Sequence, residues 1–131
     1  MDNIKLILNI IWQLPQTLVA ILMIPFIGKM KLLHFKDYCW IFECEKMSGG
    51  ISLGNFIFLS PSSSKKQPVI QHELGHVKQS HMLGWMYLFI IGIPSILNAI
   101  FGFTKCYYHF YTESWANKLN NITCKNCKLY L

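Results

Sequence analysis

Long apolar segments alternate with short polar stretches along this chain. Residues 4–28 and 84–103 are almost wholly apolar, and each is about as long as the roughly 20 residues that cross a bilayer. Polar or helix-breaking residues interrupt the middle of the first segment: Asn9, Gln13, Pro15 and Gln16. The pattern predicts one membrane helix kinked near Pro15, or a shorter helix lying partly in the interface. A buried helix of a soluble core is the alternative.

Residues 31–60 have a different pattern, with the aromatic and β-branched content of strands. Segment 38–44, YCWIFEC, and segment 51–60, ISLGNFIFLS, flank a stretch in which Gly49 and Gly50 permit a turn. We therefore predict that these two segments form a β-hairpin, followed by a polar loop.

Helical spacing returns after this loop. Pro68 suits the first turn of a helix, and apolar or flanking residues recur at helical intervals over 68–83. A final helix is predicted for residues 107–121. The expected fold class is α+β, in a single domain covering residues 1–131.

The composition and net charge of the chain favour contact with a membrane. Hydrophobic residues make up 53% of the chain and charged residues 14%, whereas soluble domains carry about 25% charged residues. The net charge is +6, and lysine supplies all of the positive residues. Without arginine the chain lacks the side chain that reads guanine or phosphate in a bidentate manner, which disfavours a nucleic-acid partner. Lysines beside apolar segments suit anionic lipid, although the charge could also serve solubility alone.

Five cysteines stand at irregular spacing, which is not typical of a disulfide framework. We expect reduced thiols and a domain that faces the cytoplasm. Cys124 and Cys127 form a C-x-x-C pair, but a structural zinc ion needs four ligands and the cysteines offer no second pair. Free thiols are therefore the prediction for both residues.

The strongest chemical signal is the stretch HELGH. His72 and His76 lie one helical turn apart, so both imidazoles project from one face, as two ligands of one zinc ion must. Glu73 is adjacent and could act as general base on a water activated by the metal. H-E-x-x-H alone is a moderate signal, because an exposed helix with two solvated histidines has the same letters.

A third protein ligand is required. His81 lies about 140° farther round the helix than His76 and should face away. Glu113 is the better candidate, and it is followed by a small residue that would allow close helix packing. Asn117 and His109 each lie four residues from Glu113 on the predicted helix and share its face. Asn117 could hydrogen-bond a ligand, and His109 could polarise a substrate carbonyl or hold an oxyanion. Alternatively, Glu113 is simply an acidic residue in the first turn of a helix, where the helix dipole favours it. His109 would then be a histidine at the membrane interface.

The stretches HELGHVKQSH and ESWAN resemble the gluzincin branch of zinc metallopeptidases. They are particularly similar to the membrane-bound heat-shock and prenyl-protein endopeptidase type, which pairs H-E-x-G-H with E-x-x-A-D on a later helix. The resemblance covers roughly residues 50–120 and implies Zn²⁺ as cofactor, with His72, His76 and Glu113 as ligands and Glu73 as catalytic base. It also implies a minimal zincin-like core of hairpin, H-E-x-x-H helix and Glu-bearing helix. Asn117 replaces the usual aspartate.

If His76 and Glu113 bind the same metal ion, residues 84–103 cannot simply cross the membrane. If residues 84–103 crossed the bilayer once, His76 and Glu113 would lie about 30 Å apart on opposite faces. Gly92 and Pro94 interrupt the segment, so we predict a re-entrant or interfacial hairpin that bends there. A buried helical hairpin in a soluble domain is the alternative.

The resulting expectation is a membrane-associated zinc metallopeptidase that cleaves peptides held along the strand at 51–60. Its partners would be a peptide or protein substrate and membrane lipid, and its oligomeric state is left open. A non-catalytic, zinc-stabilised membrane adaptor or regulator is the second hypothesis. A metal-free protein that binds membrane surfaces is the third.

Overall fold

The first apolar segment forms two helices rather than one. A computed structural model describes residues 2–131, beginning with α1 (Asn3–Trp12) and α2 (Leu14–Met23). A 3-10 turn, Ile24–Phe26, continues α2, and the two parts of the segment meet at 85°. The break lies at Gln13, with proline in the first turn of α2, which agrees with the kink predicted near Pro15.

A four-stranded sheet follows, with the order β1-β2-β4-β3. Its strands are β1 (Met30–Lys36), β2 (Cys39–Cys44), β3 (Gly50–Leu53) and β4 (Phe56–Leu59). Strands β1 and β2 form one antiparallel hairpin and β3 and β4 another, whereas β2 and β4 pair in parallel.

The predicted pairing of segments 38–44 and 51–60 as one hairpin is therefore wrong. Segment 51–60 is not a single strand, because Gly54, with φ +61°, and Asn55 form a two-residue turn inside it. The chain consequently doubles back, and β4 inserts between β2 and β3. Strand β3 is left at the edge of the sheet.

The sheet is packed on both faces. Helix α3 (Gln67–Leu83) covers one face, where Ile41 and Ile57 meet Ile70 and Val77 in the core. The opposite face packs around Phe58 and Ala20 of α2. The predicted helix at 68–83 is confirmed almost to its ends.

The polar residues that interrupt the N-terminal segment are buried at its junction with the domain. Gln13 donates to Asn55 Oδ1 at 3.0 Å, and Ser80 on α3 donates to Gln13 Oε1 at 2.5 Å. Gln16 donates to Ser80 Oγ at 2.9 Å and to the Gly84 carbonyl at 2.7 Å. These bonds attach α1 and α2 to the sheet and α3.

The second apolar segment bends at a different place from the one predicted. Helix α3 runs through a 3-10 turn, Gly84–Met86, and the chain then turns by 118°. A π-helical turn, Leu88–Gly92, leads into α4 (Ile93–Phe101), so Gly92 and Pro94 lie within one continuous arm. The predicted bend at Gly92–Pro94 is wrong because Pro94 occupies the first turn of α4, where its missing N–H costs nothing.

In residues 2–131 no single helix has the length and apolar composition to span a membrane. Two bent pairs meet that test together: Asn3–Trp12 with Leu14–Phe26, and Gln67–Met86 with Leu88–Phe101.

The C-terminal part contains the last helix and a small hairpin. A 3-10 turn, Tyr107–His109, precedes α5 (Tyr111–Leu119), so the helix is shorter than the predicted 107–121. Strands β5 (Thr123–Lys125) and β6 (Lys128–Tyr130) follow. The α+β class is confirmed. A disulfide joins Cys106 to Cys127, which contradicts the prediction of reduced thiols for these two residues.

Candidate metal centre

The site is built where α3 and α5 cross. Gly75 on α3 lies directly against the backbone of Ala116 on α5, and a Cβ at position 75 would overlap the Ala116 carbonyl. Ala116 is itself fully buried. Two small residues thus let the helix backbones approach closely, as expected for Ala116, and the ligand side chains of the two helices meet.

His72, His76 and Glu113 converge at this crossing. Glu113 Oε2 lies 2.9 Å from His72 Nε2 and 2.7 Å from His76 Nε2. All three side chains are buried, and their donor atoms lie within 4.8 Å of one another. The structure therefore brings together the three residues predicted as ligands. Their donor atoms are close enough for a single metal ion to bind all three.

Each histidine is oriented by an amide on its other nitrogen. His72 Nδ1 lies 2.6 Å from Asn117 Oδ1, and His76 Nδ1 lies 2.7 Å from Gln79 Oε1. Gln79 in turn donates from Nε2 to the Thr112 carbonyl at 2.9 Å, which fixes its oxygen toward His76. Amide oxygens only accept hydrogen bonds, so both Nδ1 atoms must carry protons. In the neutral rings, Nε2 is then left with a lone pair that faces Glu113.

Three electron-pair donors therefore point at one place, and a cation is needed between them. In the metal-free protein a proton can serve. Burial lowers the pKa of His76, but the hydrogen bond and charge of Glu113 outweigh burial and raise that pKa to about 9. Burial raises the pKa of Glu113, but the hydrogen bonds of His72 and His76 outweigh it and hold the pKa well below its usual range. Two imidazoles and one carboxylate, each supported by a second hydrogen bond, fit a zinc ion.

The second oxygen of Glu113 is also held. Tyr107 donates its hydroxyl proton to Glu113 Oε1 at 2.8 Å, which leaves Oε2 for the histidines. Tyr108 packs its ring edge-on against His72, with 5.3 Å between centroids. The 3-10 turn before α5 therefore supplies two aromatic residues that position the ligands.

Glu73 lies beside the cluster without joining it. Its carboxylate lines the same cavity as His76 and Glu113 and faces Gly50 at the start of β3. Burial raises the pKa of Glu73, and the nearby Glu113 charge adds to that effect while His72 and His76 oppose it. A side chain at position 50 would collide with this carboxylate, because a Cβ there would lie 2.9 Å from Glu73 Oε1.

A cavity of about 480 Å³ opens in front of these residues. Its walls come from α2, β3, the π-helical turn and α4, and most of the lining residues are apolar. Strand β3 runs along one wall with its outer edge unpaired by any strand of residues 2–131. The Ser60 N–H bonds to the Gly49 carbonyl, so by antiparallel alternation the Gly50 and Ser52 backbone groups point to the free edge. Consistently, Tyr87 donates its hydroxyl proton to the Ser52 carbonyl at 3.4 Å.

Two histidines do not belong to this centre. His81 lines a separate pocket beside Cys39 and Lys78, as expected from its angle on the helix. His109 does not share the face of Glu113 as predicted, because Phe110 is extended, with φ −65° and ψ 146°, and breaks the helix between them. His109 instead lies near Cys106 and Cys124.

Sequence reasoning did not identify the supporting roles of Gln79, Tyr107 and Gly75. Gln79 follows His76 by three residues, so helical spacing could have indicated their contact. Tyr107 carries no such signal, because its approach to Glu113 depends on the irregular turn.

Comparison of the chain with protein-family models, with curated proteins and with solved structures finds no match.

Proposed function

We propose that this chain is a membrane-associated zinc metallopeptidase with a minimal zincin-like core. The observation that carries the proposal is the convergence of His72, His76 and Glu113 on one point, with Glu73 beside them in an open cavity. Three protein ligands at the wall of a cavity are the arrangement of a catalytic zinc site, because a structural site is normally closed by a fourth protein ligand.

His72 and His76 would hold zinc through Nε2, and Glu113 through Oε2. When bound, zinc supplies a Lewis acid that polarises a carbonyl group and acidifies a water molecule. Glu73 removes the proton of the attacking water and later delivers it to the leaving amine. In the metal-free protein, burial raises the pKa of the Glu73 carboxyl, so this group accepts a proton more readily than a solvated glutamate does.

The free edge of β3 would hold the substrate. A peptide in extended conformation pairs with an exposed strand through main-chain hydrogen bonds. The backbone groups of Gly50 and the N–H of Ser52 point toward this edge, while Tyr87 donates to the Ser52 carbonyl. Because Gly50 also lies against Glu73, a peptide on this edge passes close to the base. The apolar walls of the cavity favour apolar substrate side chains.

The exposed apolar side chains of the protein support the proposed membrane association. Most of the exposed large apolar side chains come from the two bent helix pairs, including Leu22 and Phe26 of the first and Phe89 and Phe101 of the second. Soluble monomers rarely expose large contiguous apolar patches. The bend after α3 turns the chain back, so Glu113 can meet His76 on one side of a bilayer.

Zinc content and peptide cleavage of the wild type and of Glu73→Gln test the proposal. We expect about one zinc ion per chain at this centre in both proteins, and a loss of cleavage of at least 100-fold in Glu73→Gln. Glu113→Ala should lose zinc and cleavage together. A wild type that binds no metal here contradicts the proposal. Zinc without cleavage would instead favour the non-catalytic adaptor, in which His72→Ala unfolds the domain and Glu73→Gln changes nothing.

A further inference from the structure

A second group of metal-binding side chains lies near the C-terminus, apart from the first centre. Cys106 and His109 form a C-x-x-H pair around the 3-10 turn, and Cys124 and Cys127 form a C-x-x-C pair on the β5–β6 hairpin. The sequence interpretation lacked a second pair because it considered only cysteines. With His109 counted, the chain offers three cysteines and one histidine, a ligand set that structural zinc sites use.

The structure brings these two pairs together. Ligand atoms of Cys106, His109 and Cys124 lie within 4.8 Å of one another. The fourth residue, Cys127, is bonded to Cys106 and therefore lies in the same cluster. The Sγ atoms of Cys106 and Cys124 are 3.8 Å apart. Thiolates about 2.3 Å from a tetrahedral zinc ion stand about 3.8 Å apart, so this pair already has the separation that zinc requires.

One cysteine of the hairpin, Cys127, has a backbone conformation that is unusual for this residue type. Asn126 and Cys127 form the two-residue turn between β5 and β6, with φ of 50° and 60°. Such turns favour Asn-Gly, because glycine adopts positive φ without steric cost. Here a cysteine occupies the glycine position, and its side chain joins the Cys106 segment.

We propose that Cys106, His109, Cys124 and Cys127 form a structural zinc site when the Cys106–Cys127 disulfide is reduced. A cellular dithiol, or a phosphine in vitro, supplies the two electrons that break the S–S bond. Two protons complete the two thiols, while the dithiol becomes a disulfide or the phosphine takes oxygen from water and becomes its oxide. Zinc then binds three thiolates and one imidazole nitrogen, and the three thiol protons pass to solvent.

This site would fasten the hairpin to the segment that supports the first centre. Tyr107 and Tyr108 lie between Cys106 and His109, and they contact Glu113 and His72 respectively. A zinc ion bound to both flanking residues fixes the turn that carries the two tyrosines. In the oxidised protein the disulfide makes the same connection through Cys106 alone. The inference does not depend on the proposed peptidase activity.

Cobalt(II) binding to the full-length protein in detergent tests the site, because only thiolate ligands give intense sulfur-to-cobalt charge-transfer absorption. The first centre has nitrogen and oxygen ligands and gives none. We expect this absorption in wild type reduced with a phosphine, its displacement by zinc, and none in the oxidised protein. Cys124→Ser and His109→Ala should weaken cobalt binding at least tenfold, whereas His109→Cys should restore it as a site with four thiolate ligands.

Cys39→Ala is the matched control, because Cys39 is a free, buried cysteine in the core between the sheet and α3. It should leave the charge-transfer absorption unchanged. The proposal is overturned if the reduced wild type shows no thiolate–cobalt absorption. It is also overturned if the absorption persists unchanged in both Cys124→Ser and His109→Ala.

Discussion

At the scale of single residues, amide side chains orient both ligand histidines. Asn117 and Gln79 accept from the Nδ1–H groups of His72 and His76, so each Nε2 faces Glu113 Oε2, where we propose the metal ion. In the peptidase family that the sequence resembles, an aspartate usually stands at the position that Asn117 occupies here. A neutral amide fixes the same tautomer but contributes no negative charge to the imidazole.

Substitution of Asn117 separates the effect of the acceptor oxygen from the effect of a negative charge at this position. Asn117→Ala removes the acceptor, and we expect zinc affinity to fall about 10- to 100-fold. Asn117→Asp keeps an acceptor oxygen and adds charge, so zinc affinity should equal or exceed that of the wild type. Competition with a chelator of known affinity measures both variants. Equal losses in Ala and Asp would show that the acceptor is not what matters at this position.

The pH dependence of zinc binding follows from His76. Its pKa is raised from 6.5 to about 9, so in the metal-free protein the proton between His76 and Glu113 stabilises the fold below pH 6.5. That contribution is lost as pH rises from 6.5 to about 9. Zinc must displace this proton, so apparent affinity should rise about tenfold per pH unit up to about pH 9. Calorimetry in buffers of different ionisation enthalpy should show proton release near pH 7, and binding without proton release contradicts the argument.

At the scale of secondary-structure elements, sequence pattern predicts the bounds of α3 better than it predicts which strands pair. Helix α3 agrees with its predicted bounds to within a residue, because Pro68 and the helical recurrence of Ile70 and Val77 are local signals. The predicted strand pairing is wrong because Gly54–Asn55 is a local signal for a two-residue turn that divides segment 51–60 into two strands. The insertion of β4 between β2 and β3, in contrast, depends on non-local packing. The irregular turn at 107–110 likewise separates His109 from Glu113.

The crossing of α3 and α5 gives a direct test at this scale. Gly75→Ala places a methyl group against the Ala116 carbonyl, which is rigid backbone, so the helices must separate. We expect a loss of about 2–3 kcal/mol in the free energy of unfolding, together with weaker zinc binding. Denaturant unfolding with and without zinc measures both effects.

Gly92→Ala is the matched control for this substitution. Its new methyl group would meet the flexible Leu88 side chain, with Cδ2 at 3.2 Å, and that side chain can adjust. The control should lose much less stability and keep its zinc affinity. Similar losses in the two variants would argue against close α3–α5 packing as the basis of the site.

At the scale of the whole molecule, most of the exposed large apolar side chains lie on the two bent helix pairs, and the second pair includes α3 with His72 and His76. The first pair is attached to the domain by buried side-chain amides, and Gly84 makes room for the Trp12 ring against α3. Gly84 has φ +55° and ψ −126°, a conformation that other residues rarely adopt. Most of the exposed apolar surface thus belongs to segments docked on the domain.

Membrane binding should depend on this surface. The double variants Leu22→Asp/Phe26→Asp and Phe89→Asp/Phe101→Asp each place two charges on side chains that are at least 68% exposed. We expect each to reduce flotation with lipid vesicles at least tenfold, because about 2 kcal/mol of transfer free energy is lost per large apolar side chain. Tyr130→Asp, in the C-terminal hairpin, is the control and should float as the wild type does. Unchanged flotation of both double variants would contradict membrane association through these segments.

The sequence by itself determined the geometry of the H-E-x-x-H stretch. His72, Glu73 and His76 are close in sequence, and helical geometry alone places the two imidazoles on one face. The tertiary structure decided what surrounds them: the free edge of β3, the contact of Tyr107 with Glu113, and the approach of Cys106 and His109 to the C-terminal hairpin. Local periodicity describes one element at a time. These contacts join residues whose positions depend on turns, strand order and backbone contact between separate helices, which only the packed chain defines.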